Sequence, residues 1–283
     1  MNFLPLLENQ LEKLLTFPAS PQEKLFEAAR HIVLGCGKRL RPLLLLTTVE
    51  VFNGPIELAL NPACALEMLH AYSLIHDDLP CMDDDDYRRG KPTLHRKYDE
   101  ATAVLTGDFL LTYVFQILSG SPGLSSEQRI QMIQIISQRA GGQGMIAGQL
   151  LDLEAEKKSP SLKDLQFIHQ RKTADLFAAA FEMGAILSEV SEDRKKELKM
   201  FGEEIGLAFQ IIDDVRDHTA SVEKHGKPFS SDAVNGKTTY VSFLGIEGAK
   251  RKADQLLFSS IKRLDAFPNA APLKELASSF MRD

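Results

Sequence analysis

Six carboxylates lie within ten residues of this chain, in the segment 77–86 with the sequence DDLPCMDDDD. So many like charges repel one another unless cations neutralise them. Most acidic runs are solvated loops, but this one follows the strongly apolar stretch Ala63 to Ile75, so Asp77 is expected at the end of a buried helix. On an unbroken helix Asp83 would point about 120° away from Asp77, and the break at Pro80 allows the chain to redirect it.

A second acidic group, formed by Asp213, Asp214 and Asp217, follows the apolar stretch Ile205 to Ile212. Asp213 and Asp217 are four residues apart, so they project from the same side of a helix. One such pair is common on helix surfaces, but two aspartate groups that each end an apolar helix predict carboxylates facing each other across a cavity. Mg²⁺ suits such a site, because it binds one or two carboxylates together with substrate phosphates. The pattern therefore predicts a divalent metal and a phosphorylated substrate.

Two other metal sites fit the sequence less well. An EF-hand loop needs a glutamate at its twelfth position, and counting twelve from Asp83, Asp84 or Asp85 reaches none. A di-iron helical bundle needs two Glu-x-x-His pairs, and Glu67 with His70 is the one pair that we find. A ferritin-like site is therefore a minor alternative.

Basic residues accompany glycines in two segments, Gly35 to Pro42 and Arg88 to Pro92. The first has three cations in four residues; its glycines allow close approach to the backbone, and the helix start that follows favours an anion. Taken alone, the first segment fits a solvated basic turn equally well, and the second would simply neutralise the aspartates before it. Arginine binds phosphate oxygens bidentately while aspartate binds magnesium, so the combination is typical of a diphosphate site.

The composition excludes several classes of function. The chain has 283 residues, 44% hydrophobic and 25% charged, which is typical of a globular protein. Its net charge of −6 disfavours general nucleic-acid binding, which usually needs a basic face. We find no apolar run near the ~18 residues that span a bilayer, and residues 1–15 resemble an amphipathic helix rather than a secretory signal. The three cysteines are widely spaced, which favours neither disulfides nor a zinc site. Such cysteine use predicts a cytoplasmic location.

Helical periodicity dominates the chain, as at Leu11, Leu14 and Leu15, and no segment alternates convincingly as a strand does. Breaks that include Asn61-Pro62 and residues 218–236 separate about ten helices. None of the breaks is long enough for an interdomain linker. We therefore predict one all-α domain over residues 1–283, a bundle of about ten or more helices.

The sequence resembles the trans-isoprenyl diphosphate synthases, in particular the bacterial farnesyl diphosphate synthases among them. The resemblance covers roughly residues 20–260 in family order. Its motifs are GCGKRLRP at 35–42, EMLHAYSLIHDDLPCMDDDDYRRGKPT at 67–93, LTGD at 105–108, GQLLDL at 148–153, KT at 172–173 and FQIIDDVRD at 209–217. It implies an all-α domain with the reaction cavity between helices, usually in a homodimer.

The resemblance also implies roles for individual residues. Mg²⁺, or Mn²⁺ in its place, would be bound by the aspartates of both motifs, which are Asp77, Asp78, Asp83, Asp213, Asp214 and Asp217. Asp152 would support the metal site. The allylic diphosphate would lie on the metals with help from Arg88, Lys172 and Lys227, and Lys237 is a further substrate-binding candidate. Isopentenyl diphosphate would be bound by Lys38, Arg41, His70 and Arg89. The carbonyl of Lys172, with Thr173 and Gln210, would face the allylic cation.

Product length follows from the same resemblance. In the family, an aromatic residue five positions before the first aspartate closes the pocket, and a two-residue insertion in the motif accompanies the bacterial short-chain type. Tyr72, with Ser73 beside it, and the insertion within 79–82 predict a C15 product. From spacing alone Tyr72 fits a packed core tyrosine equally well, so a C20 product stays an alternative. Two departures from the family pattern, Val241 and Ser231, lie in the loop that the family closes over the diphosphates.

The predicted reaction is a head-to-tail condensation of isopentenyl diphosphate with an allylic diphosphate, giving farnesyl diphosphate. A non-catalytic subunit of a heteromeric prenyl synthase is less consistent with the sequence, since such subunits typically lose one aspartate motif. A terpene cyclase is disfavoured because it needs no second diphosphate pocket, whereas Lys38, Arg41 and His70 indicate one.

Overall fold

The computed structural model describes residues 2–35, 37–225 and 238–279, with only the backbone for 220–225. These residues divide into two compact units, one formed by Met1–Gln134 with Ile186–Ser188 and the other by Ile135–Ala185 with Glu189–Asp283. The single domain expected over residues 1–283 stays a prediction.

The first unit is built almost entirely from helices. They are α1 (Leu4–Leu14), α2 (Glu23–Val33), α3 (Leu40–Val51), α4 (Ile56–Asp77), α5 (Leu94–Lys97) and α6 (Glu100–Gly120). Between α4 and α5 lies a two-stranded antiparallel hairpin of β1 (Tyr87–Arg88) and β2 (Lys91–Pro92). Helix α7 (Ser126–Ala140) includes the boundary between the units.

The second unit is also helical. Its elements are α8 (Met145–Ala155), α9 (Leu162–His169), a π-helical turn (Gln170–Ala174), α10 (Asp175–Leu187) except for its last residues, α11 (Glu192–His225), α12 (Tyr240–Arg263), a 3₁₀ turn (Leu264–Ala266) and α13 (Ala271–Ser279). Helices α11 and α12 pack against each other, and both contact α9. The predicted all-α class is confirmed.

Two of the predicted helix breaks are wrong. Asn61 and Pro62 lie inside α4. Pro62 removes the hydrogen bond to the carbonyl of Leu58, and its ring is buried in the core. The break expected from residue 218 begins too early, because α11 continues to His225. No glycine or proline occurs from residue 213 to 225, and the rest of that predicted loop, from residue 226, lies outside the described residues.

Helix α4 is the central element of the first unit and packs against α1, α2, α3 and α6. Leu66, Leu69 and Ile75 are almost fully buried along it, and each such side chain stabilises the fold by about 1.5–3 kcal/mol. The helix ends at Asp77, two residues before the Leu79-Pro80 break. The acidic segment therefore begins at the end of a well-packed helix, as the sequence predicts.

Helix α6 is long and apolar enough to cross a membrane by length and composition alone, with 21 residues and a mean hydropathy of 1.5 in its tested window. This differs from the expectation of no apolar run of that length, because its only charged residues are Glu100 and Asp108. Of that window, 39% is buried within the structure. Core helices of water-soluble proteins have the same character, so the finding is weak evidence for a membrane span.

Two glycines allow helices of the second unit to approach the π-helical turn closely. A Cβ atom at Gly148 in α8 would lie 2.2 Å from the backbone nitrogen of Lys172, and one at Gly206 in α11 would lie 2.5 Å from the Cα of Ala174. Neither distance is sterically possible, so only glycine permits this packing. The π-helical turn is therefore enclosed on two sides by helix backbone.

The variant Gly148→Ala is expected to lower the free energy of unfolding by about 1–3 kcal/mol, since the added methyl group meets backbone rather than a movable side chain. Gly142→Ala is the matched control, because a Cβ atom there has no heavy atom within 4 Å. Urea denaturation of both variants measures the difference. Equal stabilities would show that α8 does not need this close approach.

Candidate active site

The acidic loop after α4 folds back on the end of the helix. The backbone N–H of Asp83 donates to the carbonyl of Asp77 at 2.9 Å, and that of Asp84 donates to the carbonyl of Leu79 at 3.1 Å. These bonds place the backbone of Asp83 beside that of Asp77, although the two are six positions apart. The predicted redirection of Asp83 is confirmed.

Asp78 is more deeply buried than its neighbour Asp77. Its side chain is 1% exposed and accepts a hydrogen bond from Nε of Arg88, whose Nη2 donates to Asp85 at 3.2 Å. Burial raises the pKa of Asp78 to about 6, although the positive charge of Arg88 opposes the shift. In this structure Asp78 orients Arg88, and its role as a metal ligand stays a prediction.

Cations from two segments of the first unit meet around His70. A Cβ atom at Gly37 would lie 2.4 Å from Nη1 of Arg89, so the guanidinium of Arg89 lies against the glycine that precedes Lys38. Burial lowers the pKa of His70 well below its usual value, and the positive charges of Arg41, Arg89, Arg88 and Arg39 lower it further. The structure thus brings the residues predicted for isopentenyl diphosphate into one region of this unit.

A chain of hydrogen bonds links the predicted catalytic residues of the second unit. The hydroxyl of Thr173 donates to Oε1 of Gln210 at 2.7 Å, and Nε2 of Gln210 donates to Oδ1 of Asp214 at 3.2 Å. The other carboxylate oxygen of Asp214 accepts from the backbone N–H of Tyr240 at 2.9 Å. The start of α12 and the π-helical turn are therefore both tied to the acidic segment of α11.

Lys172 forms a separate ion pair beside this chain. Its Nζ lies 2.6 Å from Oδ2 of Asp152, which follows Gly148 by one helical turn of α8. Asp152 was expected to support the metal site, and the contact that the structure shows is with Lys172. Because Gly148 lets the two backbones approach, the short carboxylate side chain reaches the ammonium group.

The aspartates of α11 repeat the pattern seen after α4. Asp213 is partly exposed and accepts from Arg216 at 3.3 Å, and Asp217 is exposed. Asp214, by contrast, is 5% exposed. In each motif, then, the first aspartate is accessible and the second is buried against protein donors.

Among the described residues, no three histidine, cysteine, aspartate or glutamate side chains are grouped closely enough to hold a metal on their own. The donor chemistry of the accessible carboxylates fits Mg²⁺, which completes its coordination with water and substrate phosphates. The metal-ligand assignments stay predictions.

The chain matches the polyprenyl synthetase family over residues 22–276. It belongs to that family. The predicted resemblance is confirmed by this match and by the curated relatives that follow.

Two relatives show the range of named activities among similar proteins. The chain is 44% identical over 250 residues to the farnesyl diphosphate synthase of Bacillus subtilis, covering 88% of this chain and 84% of the relative. It is 41% identical over 260 residues to geranylgeranyl pyrophosphate synthase 7, chloroplastic, of Arabidopsis thaliana, covering 90% and 75%.

Solved structures of similar proteins share the fold. An FPP/GFPP synthase from Zymomonas mobilis superposes with a TM-score of 0.88 at 39% identity, covering 98% of this chain and 95% of that one. A geranyltransferase from Helicobacter pylori, complexed with magnesium and isoprenyl diphosphate, gives a TM-score of 0.79 at 36% identity, covering 100% and 96%.

Sequence analysis did not identify the buried contact between Tyr240 and His169 in this polyprenyl synthetase. Tyr240 is 1% exposed, its ring lies 5.5 Å from that of His169, and burial raises its pKa to about 12. Burial lowers the pKa of His169 to about 4, so its imidazole is neutral at pH 7. Thr239, which caps α12 in a capping box, is the sequence signal that predicts a helix starting here.

Three predicted positions cannot be placed. Lys227, Lys237 and Ser231 lie outside the described residues. Val241, expected in the closing loop, lies instead in the first turn of α12 and is buried in the core with Tyr240.

The variant Asp214→Ala is expected to lower the free energy of unfolding by about 1–3 kcal/mol, because it leaves the buried N–H of Tyr240 without its acceptor. The exposed Asp217, three residues further on, provides the control variant Asp217→Ala, which should unfold like the parent. Urea denaturation measures both. Similar losses in the two variants would contradict the structural role of Asp214.

Proposed function

We propose that this polyprenyl synthetase condenses isopentenyl diphosphate head-to-tail with dimethylallyl or geranyl diphosphate and forms farnesyl diphosphate. The observation that carries the proposal is the group of cations around His70, in which the guanidinium of Arg89 lies against Gly37, the glycine before Lys38. Such a group suits a second diphosphate. A condensing enzyme needs two diphosphate sites, whereas a cyclase needs one. The named activity of the Bacillus subtilis relative supports the same reaction.

The metal would be Mg²⁺, with Mn²⁺ as an alternative. Each aspartate motif would hold the metal by its more accessible members, Asp77 with Asp83 and Asp213 with Asp217. Asp78 would fix Arg88 for the allylic diphosphate, and Asp214 would fix Gln210. When bound, the metal supplies positive charge that stabilises the departing diphosphate. The magnesium bound to the Helicobacter pylori relative supports this choice of ion.

The remaining steps depend on the chain's own groups. Lys38, Arg41 and Arg89 hold isopentenyl diphosphate by its charges, and neutral His70 adds a hydrogen bond. The oxygen atoms of Thr173 and Gln210 present weak dipoles to the allylic cation, and their mutual bond keeps them from reorienting. The double bond of isopentenyl diphosphate attacks the cation, and the proton then lost passes to the released diphosphate. Holding both substrates together supplies up to about 7–11 kcal/mol of the rate acceleration.

A C20 product is the second candidate. The similarity to the Arabidopsis geranylgeranyl pyrophosphate synthase favours it, and Tyr72 decides between the two. Tyr72 is 4% exposed, and its hydroxyl has no hydrogen-bond partner among the described residues. A buried aromatic ring of this kind suits the closed end of a pocket for a C15 chain.

We further propose a homodimer in the cytoplasm. Helix α6 exposes the apolar side chains of Val104 and Leu105, at 38% and 59%, and exposed apolar surface suits contact with a second copy. Cys64 and Cys81 are free thiols, which is typical of a reducing compartment.

The experiment is incubation with dimethylallyl and isopentenyl diphosphates and Mg²⁺, followed by chromatography of the dephosphorylated products. We expect a C15 alcohol, and turnover lower by orders of magnitude in Asp77→Ala and Asp213→Ala with unchanged helicity by circular dichroism. Asp193→Ala is the surface control, since that side chain is 95% exposed. No condensation by the parent protein with metal present would favour the non-catalytic subunit; normal turnover in either aspartate variant would exclude that carboxylate as an essential ligand.

The variant Tyr72→Ala is expected to shift the product to C20 or longer, because it opens the end of the pocket. Tyr113→Ala is the matched control: Tyr113 belongs to the same unit, and its hydroxyl donates to the carbonyl of Leu14 instead of lining the expected pocket. Tyr72→Leu serves as a milder variant if the alanine variant unfolds. An unchanged C15 product from the folded Tyr72 variants would assign Tyr72 to core packing alone.

A further inference from the structure

Arg39 stands between two predicted substrate-binding cations, Lys38 and Arg41, yet it is only 2% exposed. It lies at the N-terminal end of α3 with a left-handed backbone, φ 50°. Such a conformation is costly for a residue other than glycine and persists only where the surroundings enforce it. The side-chain contacts of Arg39 explain how it is enforced.

The guanidinium of Arg39 ties three segments of the first unit together. Nη1 donates to Oε1 of Glu67 in α4 at 2.8 Å, Nη2 donates to the carbonyl of Gly35 at 2.8 Å, and Nε donates to Oε1 of Glu8 in α1 at 3.1 Å. Glu67 is itself 3% exposed. The bond to Gly35 joins Arg39 to the segment that follows α2, and the bond to Glu67 fixes Arg39 to the central helix.

The same contacts bear on the residues next to Arg39. A Cβ atom at Gly37 would lie 3.2 Å from Nη1 of Arg39 and 2.4 Å from Nη1 of Arg89, so the two guanidinium groups flank that glycine. Lys38 directly precedes Arg39, and Arg41 is the second residue of the helix at whose N-terminus Arg39 lies. The directions of these side chains therefore depend on where Arg39 is held.

We propose that Arg39, held by Glu67, is a positioning residue for the isopentenyl diphosphate site. It fixes the loop so that Lys38, Arg41 and Arg89 converge on one diphosphate, while its own charge is taken up by carboxylates. The inference rests on the proposed function, because it concerns the same site.

The sign of the effect of Glu67→Gln separates positioning from simple electrostatics. Removing the carboxylate leaves more net positive charge near the site, so an electrostatic effect alone would tighten diphosphate binding. Loss of the anchor, by contrast, weakens binding, because the loop and its cations are no longer fixed.

The test measures KM for isopentenyl diphosphate, KM for geranyl diphosphate and kcat in Arg39→Met and Glu67→Gln, and the affinity for isopentenyl diphosphate by calorimetry. We expect KM for isopentenyl diphosphate to rise by about tenfold or more in both variants, as loss of about 1.4 kcal/mol requires. KM for geranyl diphosphate should stay within about twofold, since a factor of two is under about 0.5 kcal/mol. Arg30→Met is the control. Arg30 lies in α2 and, like Arg39, donates to a glutamate, Glu12, and to a carbonyl, that of Leu15.

Unchanged or tighter binding of isopentenyl diphosphate by Glu67→Gln would overturn the inference, as would an equal rise in both KM values. The isosteric Glu67→Gln decides the question if Arg39→Met does not fold. Measurements on the parent protein and on Lys38→Ala separate this inference from the proposed function. If the parent protein binds no isopentenyl diphosphate, the proposed function fails. If Lys38→Ala loses binding while folded Arg39→Met keeps it, only the role of Arg39 fails.

Discussion

Negative charge concentrated in two aspartate motifs, one at the end of α4 and one within α11, is the constraint on which the rest of this structure depends. Adjacent carboxylates repel one another, and a diphosphate would add to that repulsion. The protein resolves part of the conflict within each aspartate pair. Asp78 is buried against Arg88, and Asp214 against Gln210 and the N–H of Tyr240. One carboxylate of each pair is thus buried against protein donors, and the more accessible neighbour, Asp77 or Asp213, is the one that we propose for an external cation.

The second unit solves a different problem, that of bringing short polar side chains to the π-helical turn. Gly148 and Gly206 each precede by four residues the side chain that contacts the turn, Asp152 in α8 and Gln210 in α11. Residues four apart lie on the same face of a helix, so the glycine brings the backbone close and the next turn supplies the polar group. Gly148 and Gly206 therefore account both for the close packing around the turn and for the placement of the polar groups.

Much of this was predictable from sequence, because it follows from local rules. The apolar run before Asp77 predicts a buried helix and the break at Pro80 redirects Asp83; both predictions hold. The break predicted at Pro62 is wrong, since packing of α4 outweighs one lost hydrogen bond. The difference in burial between Asp77 and Asp78 was not predictable. Adjacent identical residues differ only in which side of the helix end is covered. That depends on other segments, such as the β-hairpin that carries Arg88.

The basic segment shows the same limit in a form that affects the chemistry. Lys38, Arg39 and Arg41 count equally in a tally of charge, yet Arg39 is bonded to two glutamates. An anchor with an uncompensated charge would repel the cations that it positions, and pairing it with Glu67 and Glu8 removes that cost. Burial lowers the pKa of His70, and the same crowding of positive charge lowers it further. A neutral imidazole can still donate a hydrogen bond to a phosphate oxygen, so it adds a contact to the diphosphate without adding repulsion among the cations.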